Sequence, residues 1–393
     1  MKIEFFKHNI GEEEIKEVIK VLNSLFLTTG DVVDEFERKF ASYLGCKHAI
    51  GVMSCTAALH LSLLAYDIGP EDEVITTPMT FIATATSILH AGATPVFVDV
   101  EPETGNIDVN KIEEFIKTKC KFNSKKHQLI NSLTHKRVRA IMPVHLYGHM
   151  CDMKRIKEIA DKYNLVIIED AAHCIEGERD GIKPGQLGHT ACFSFYATKN
   201  ITCGEGGAIV TNDDKIAEKL RLLRLHGMTK SAAERYTKKY EHWDMELLGW
   251  KYNMDNIKAA LLLNQLDLIE ERWRRREEIC KKYEEAFSNI DEIDFPKVLP
   301  GTKSARHLFT IWVNPKKRDE ILWKLQDRGI GVAVNFRAIH LLKYFKETFG
   351  FKRGMFPVAE KIGDSTISLP TYPKLSDEEI NYVIETLKQV ITT

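Results

Sequence analysis

Between Ile15 and Leu225 short apolar, β-rich runs alternate with helical patterns, and this alternation constrains the fold more than any other feature of the chain. Strand candidates fall at 49–52, 73–77, 94–99, 138–143, 165–169, 191–195 and 208–211. Helix candidates between them fall at 57–65, 82–91, 153–163 and 214–223. Strands interleaved with helices predict an α/β domain with a mostly parallel, seven-stranded sheet. Runs such as Leu165-Val166-Ile167-Ile168 are apolar on both faces, which suits strands covered by helices on each side.

A chain of 393 residues is too long for one compact core, so two domains are expected, at 1–255 and 256–393. The second region opens with a long, charged helical pattern at 261–287. A strand-like run at 307–313, a helix at 318–328, a strand at 331–335 and a helix at 377–390 follow. This reads as a smaller α+β domain.

Formal net charge is −1, so bulk electrostatics gives no reason to expect nucleic acid or an anionic membrane as partner. Residues 1–14 hold no apolar stretch of the signal-peptide kind, and no apolar run reaches the roughly 18 to 20 residues that span a bilayer. Eight scattered cysteines with no Cys-x-x-Cys pair fit reduced thiols in a cytoplasmic protein, and argue against a metal site. From Lys117 to Arg139 eight Lys and Arg residues occur with no acid among them. The stretch is expected to be a solvated insertion before a buried strand, and the alternative is a contact surface for an anion.

Two segments carry the chemistry. Val166-Ile167-Ile168-Glu169-Asp170 is an apolar strand ending in a carboxylate. Ala191-Cys192-Phe193-Ser194-Phe195-Tyr196-Ala197-Thr198-Lys199 is a strand leading to a lysine. Ligands of open α/β sheets bind in the crevice beyond the carboxyl ends of the strands, where Asp170 and Lys199 both arrive. Pyridoxal phosphate (PLP) needs these two residue types. An amine condenses with its aldehyde and later moves protons, and a carboxylate keeps its pyridine nitrogen protonated so that the ring accepts electrons. Taken singly, a strand-end aspartate is often a cap or turn residue, and a lysine after a strand is usually just solvated.

The cofactor's phosphate needs a cradle. Gly51-Val52-Met53-Ser54-Cys55-Thr56-Ala57 reads as strand, small-residue turn and helix start, and a helix N-terminus presents free N–H groups to an anion. The plainer reading is a helix capped by Ser54 or Thr56. Ser194 offers a hydroxyl to the same phosphate.

These segments, with Leu27-Thr28-Thr29-Gly30, Pro78-Met79-Thr80-Phe81-Ile82-Ala83-Thr84, Pro143-Val144-His145-Leu146-Tyr147-Gly148, Glu169-Asp170-Ala171-Ala172-His173, Gly204-Glu205-Gly206-Gly207 and Gly249-Trp250-Lys251-Tyr252-Asn253-Met254, resemble the sugar-nucleotide aminotransferases of the DegT/StrS group, which are fold-type-I PLP enzymes. The likeness runs in order along nearly the whole chain. It implies Lys199 as the Schiff-base lysine and Asp170 as partner of the pyridine nitrogen. It implies Phe81 stacked on the ring, and His173, where the family often has glutamine, near the ring oxygen. Thr56, Ala57 and Ser194 match the phosphate binders, and Asn253 matches a residue supplied across a homodimer. Thr29, Lys251, Arg337 and His340 are candidates for the substrate.

The resemblance further implies transfer of the amino group of L-glutamate to a keto sugar nucleotide, a 4-keto-6-deoxy or related sugar, for polysaccharide or amino-sugar biosynthesis. Dehydratases on this fold replace the lysine with histidine, so Lys199 argues against that alternative. Intact Lys199 and Asp170 argue against a non-catalytic regulatory protein. A nicotinamide dehydrogenase would carry Gly-x-Gly-x-x-Gly after the first strand, which this chain lacks.

Overall fold

The computed structural model of the chain describes residues 1–230 and 242–391; the last two residues of the expected second region, 392–393, lie outside them. Seven strands form the main path of a sheet in the order β1 (His48–Val52), β10 (Gly207–Thr211), β9 (Thr190–Ser194), β7 (Val166–Asp170), β6 (Arg137–Ile141), β2 (Asp72–Thr76) and β3 (Thr94–Phe97). From β9 to β3 all neighbours are parallel, and β10 runs antiparallel to both β9 and β1.

The sheet has nine strands rather than seven. The extra pair is β4 (Cys120–Asn123) and β5 (Gln128–Asn131), a hairpin that docks antiparallel on the start of β6. It is built from the basic stretch expected to be a solvated insertion before a buried strand. Leu129 of β5 pairs with Val138 of β6 and both are buried, while Lys121, Lys125 and Lys126 stay exposed, so charge on one face masked a short buried strand.

Helices cover both faces, which is why the strands are apolar throughout. Ile209 and Cys192 pack with Leu59 of α3 (Cys55–Ala65) and Leu220 of α7 (Asp214–Leu223). Their strand neighbours Ala208, Val210 and Phe193 point the other way, to Phe36 and Phe40 of α2 (Asp31–Leu44) and to Leu262 of the helix Asn256–Asp267. Further along the sheet Ile75, Ile141 and Ile167 meet Ile112 of α5 (Val109–Lys119) and Ile156 of α6 (Met153–Tyr163).

The long charged pattern resolves into two helices, Asn256–Asp267 and Ile269–Phe287, parted at Leu268. Ile279, Tyr283 and Phe287 pack with the antiparallel pair β12 (Phe309–Trp312) and β13 (Thr366–Leu369), with the helix Asp377–Ile391, and with Ile3 from the start of the chain. The strand expected at 331–335 is reduced to a single bridge from Ala333 to Ser368.

Candidate active site

Sheet register brings the candidate residues together. Val52 at the end of β1 lies opposite Gly207, Gly207 lies opposite Ser194, and Asp170 lies opposite Cys192, two residues short of Ser194. With strands about 4.8 Å apart, Asp170, Ser194 and the turn into α3 share one edge of the sheet. Gly207 is required there: a Cβ on it would stand 2.5 Å from the Ser54 carbonyl carbon and 2.6 Å from the Cys55 nitrogen. The strand backbone thus packs directly under the turn that opens α3.

Asp170 is buried without a cationic side chain paired to it among the described residues. Oδ2 accepts from the Thr84 hydroxyl at 2.7 Å and Oδ1 from the Ala172 amide at 3.2 Å. Thr84 belongs to α4 (Ile82–His90), and its hydroxyl is 2.7 Å from that of Thr80. With the Thr84 hydrogen given to Asp170, Thr80 is the donor of that second bond. Burial pushes the Asp170 carboxyl up, opposed by Thr84, Ala172, Lys199 and His145.

Lys199 is half-buried after β9, on a turn closed by its amide to the Tyr196 carbonyl at 2.9 Å. Burial lowers its ammonium pKa to about 8, opposed by Cys55 and Asp170. Lysine and aspartate each sense the other's charge. Lys199 Nζ also stands 3.4 Å from His307 Nε2, a residue for which the sequence offered no motif.

His173 is buried, and its Nδ1 accepts from the Tyr147 amide at 3.2 Å. That bond puts the ring hydrogen on Nε2, and burial with the charge of Lys199 drives the imidazole well below its usual pKa. His173 is therefore a neutral donor at Nε2. Its ring stacks on Phe336 at 5.7 Å, and Phe336 is 5.8 Å from Phe81. Phe81 is 55% exposed, so it is a wall residue and not part of the core.

The Ser54 hydroxyl accepts from the Ala57 amide at 3.1 Å, an ordinary N-cap. Ala57, expected as an anion binder, gives its N–H to that cap; Thr56 stays in the first turn, where no intrahelical acceptor exists. Ser194 is buried and accepts from the Tyr196 amide at 3.3 Å.

The substrate candidates divide. Thr29 and Asn253 line one cavity of about 610 Å³ with Asp34, Glu37, Arg221 and Arg224. Asn253 pairs with Val52 in a bridge, which sets it beside the turn into α3, and Lys251 Nζ donates to Asn253 Oδ1 at 2.5 Å. Arg337 is exposed, next to Phe336. His340, expected near the substrate, is instead 0% exposed, packed on Phe356 and 3.0 Å from Glu360 Oε1. Its place in the chain suggested the site, but its partner lies 20 residues on, in a helix that covers it.

The residues fit PLP. A buried carboxylate without an ion pair among the described residues suits a protonated pyridine nitrogen, an exposed aromatic suits a ring face, and a helix start held against a glycine strand suits a phosphate. Fold and site together define a fold-type-I PLP-dependent aminotransferase. The chain belongs to the DegT/DnrJ/EryC1/StrS aminotransferase family, which it matches over residues 8–388.

Among its relatives is the spore coat polysaccharide biosynthesis protein SpsC of Bacillus subtilis, 41% identical over 97% of this chain and 95% of that protein. GDP-perosamine synthase of Caulobacter vibrioides is 37% identical over 95% and 94%. Among solved structures, the candidate sugar aminotransferase Spr1654 of Streptococcus pneumoniae in its PMP form superposes with a TM-score of 0.90 at 31% identity, covering 100% of this chain and 99% of that one.

Proposed function

We propose that this enzyme transfers the amino group of L-glutamate to the keto group of a nucleotide-linked sugar, a 4-keto-6-deoxy or related sugar, in polysaccharide or amino-sugar biosynthesis. The observation that carries the reading is that Lys199, an amine whose pKa burial lowers to about 8, and Asp170, a buried carboxylate with no ion pair among the described residues, lie near enough to feel each other's charge. Lys199 would hold the cofactor aldehyde and Asp170 its ring nitrogen. Phe81 would cover the ring, His173 would donate from Nε2 to the ring oxygen, and Thr56, Ser194 and Asn253 would hold the phosphate.

Bound PLP supplies an aldehyde that carries nitrogen between two substrates and a ring that takes up electrons from the reacting carbon. Once its amine is free, Lys199 Nζ takes the proton from the glutamate α-carbon, and in the second half returns one to the sugar carbon that gains nitrogen. An amine of pKa about 8 suits both duties near neutral pH. Asp170 holds charge opposite the ring. Arg337 and Lys251, both exposed, suit a diphosphate, and Thr29 offers a buried hydroxyl.

A homodimer belongs to this reading, with Asn253 serving the partner's phosphate. Apolar side chains exposed on α1 (Glu12–Leu22) and after it, Ile15, Ile19, Leu22 and Leu25, supply a surface for it, with Trp243, Met245 and Leu248. The division at 255/256 places the cofactor residues in the first domain. Eight free cysteines fit a cytoplasmic location. Incubation with L-glutamate and a panel of keto-sugar nucleotides tests the function: 2-oxoglutarate release with at least one sugar is expected, and none with any sugar contradicts it.

A further inference from the structure

Four polar side chains behind Lys199 have no part in the function proposed above. His307 Nε2 stands 3.4 Å from Lys199 Nζ, and His307 Nδ1 stands 3.0 Å from Asn200 Oδ1. Asn200 Nδ2 donates to Glu176 Oε2 at 2.7 Å and to the Ala305 carbonyl at 3.1 Å. The other carboxylate oxygen of Glu176 pairs with Arg276. All four are buried.

Donor directions along this chain are determined. Both hydrogens of Asn200 Nδ2 have acceptors, so the atom facing His307 is the amide oxygen, which only accepts. His307 Nδ1 therefore carries the ring hydrogen. Burial, with Lys199, His173 and Arg276 nearby, drives this imidazole well below its usual pKa, so it is neutral. A neutral ring protonated at Nδ1 has its lone pair at Nε2, and that lone pair faces Lys199. A fixed carboxylate orients an amide, the amide selects a tautomer, and the tautomer offers an acceptor to the amine. A base oriented by a third group follows the same logic.

We propose that His307 is a positioning residue for Lys199: its Nε2 accepts a hydrogen bond from the free amine and holds Nζ in the cleft, and Glu176, through Asn200, sets the tautomer that makes this possible. The inference rests on Lys199 being the point of cofactor attachment. Other groups face the same amine, namely Cys55 at the start of α3 and Asp170 on β7, and Lys7, His8 and Arg276 line the small cavity that Lys199 and His307 share. An acceptor at Nε2 favours the ammonium, so its removal eases deprotonation.

The test is the rate at which the cofactor-free, full-length protein captures added PLP as a function of pH, read by absorbance, since only the unprotonated amine attacks. His307→Phe and His307→Asn, neither of which leaves an acceptor within reach, are expected to lower the midpoint by about one pH unit, a tenfold change in proton affinity. His307→Gln, whose amide oxygen can reach Nζ, is expected to restore it. Midpoints equal to wild type in the folded Phe or Asn variant overturn the proposal, and a Phe variant that does not fold leaves the Asn variant to decide. Borohydride reduction of captured wild type separates the two readings. A label on a lysine other than 199 removes the function proposed above, whereas a label on Lys199 with unmoved midpoints removes only the role of His307.

Discussion

Asp170 carries a charge that the protein without its cofactor does not favour. Burial raises its carboxyl pKa, so its stabilising contribution is present below the ordinary carboxylate range and is lost as pH rises through the folded value. Asp170→Asn removes the charge and keeps the shape. It is expected to raise the melting temperature of the cofactor-free protein at neutral pH while weakening PLP retention, and a lower melting temperature would contradict this. Lys199 follows the opposite sign. With its pKa depressed to about 8, its contribution is full above about 10.4 and is lost as pH falls through about 8. Lys199→Met should therefore make the cofactor-free protein more stable than wild type near pH 7, most visibly in thermal melts, and abolish turnover. Ordinary turnover in that variant would refute the role.

Single residues also show what a sequence can and cannot reveal. Lys199 and Asp170 were legible as candidates because Asp170 ends one apolar strand and Lys199 follows another, and parallel strands deliver their carboxyl ends to one crevice. His307 was not, since it meets Lys199 across 108 residues of chain and belongs to no motif. Thr84 left no comparable signal: the hydroxyl it meets, that of Thr80, lies in the turn before α4 and not on the helix.

At the level of elements, the start of α3 is the part most exposed to a single change. Ser54→Ala removes the N-cap on the Ala57 amide and is expected to cost about 1 kcal/mol in denaturant unfolding. No loss of stability would mean that the cap is replaced by solvent. Gly207→Ala would drive a methyl group into the Ser54–Cys55 backbone, where no flexible side chain can yield. Overpacking of this kind costs roughly 1–3 kcal/mol, and the variant is expected to lose PLP on dialysis as the turn shifts. Retention equal to wild type would show that the turn is not the cradle. The seven strands on the main path of the sheet and helices α6 and α7 were legible from the sequence pattern. The hairpin Cys120–Asn123 with Gln128–Asn131 was not, because a short strand pair with lysines on its outer face has the composition of a loop.

For the whole molecule, the exposed apolar residues raise the question of what covers them. Leu25 is 82% and Leu248 80% exposed, which suits a dimer face better than a free surface. Light scattering is expected to find the wild type at twice its 45.0 kDa mass and a Leu25→Glu/Leu248→Glu double variant shifted toward 45.0 kDa; a wild type at the single-chain mass would remove the dimer. The two-layered cores were foreseeable from strands apolar on both faces. The joining of Ile3 to the core of the C-terminal elements was not, since nothing in the first residues marks where they pack. The central claim, that the Lys199 amine is the attachment point of the cofactor, is tested most directly by borohydride reduction of the PLP-loaded protein and mass mapping of its peptides. A phosphopyridoxyl group on Lys199 is the expected result, and a label on another lysine, or on none, would contradict it.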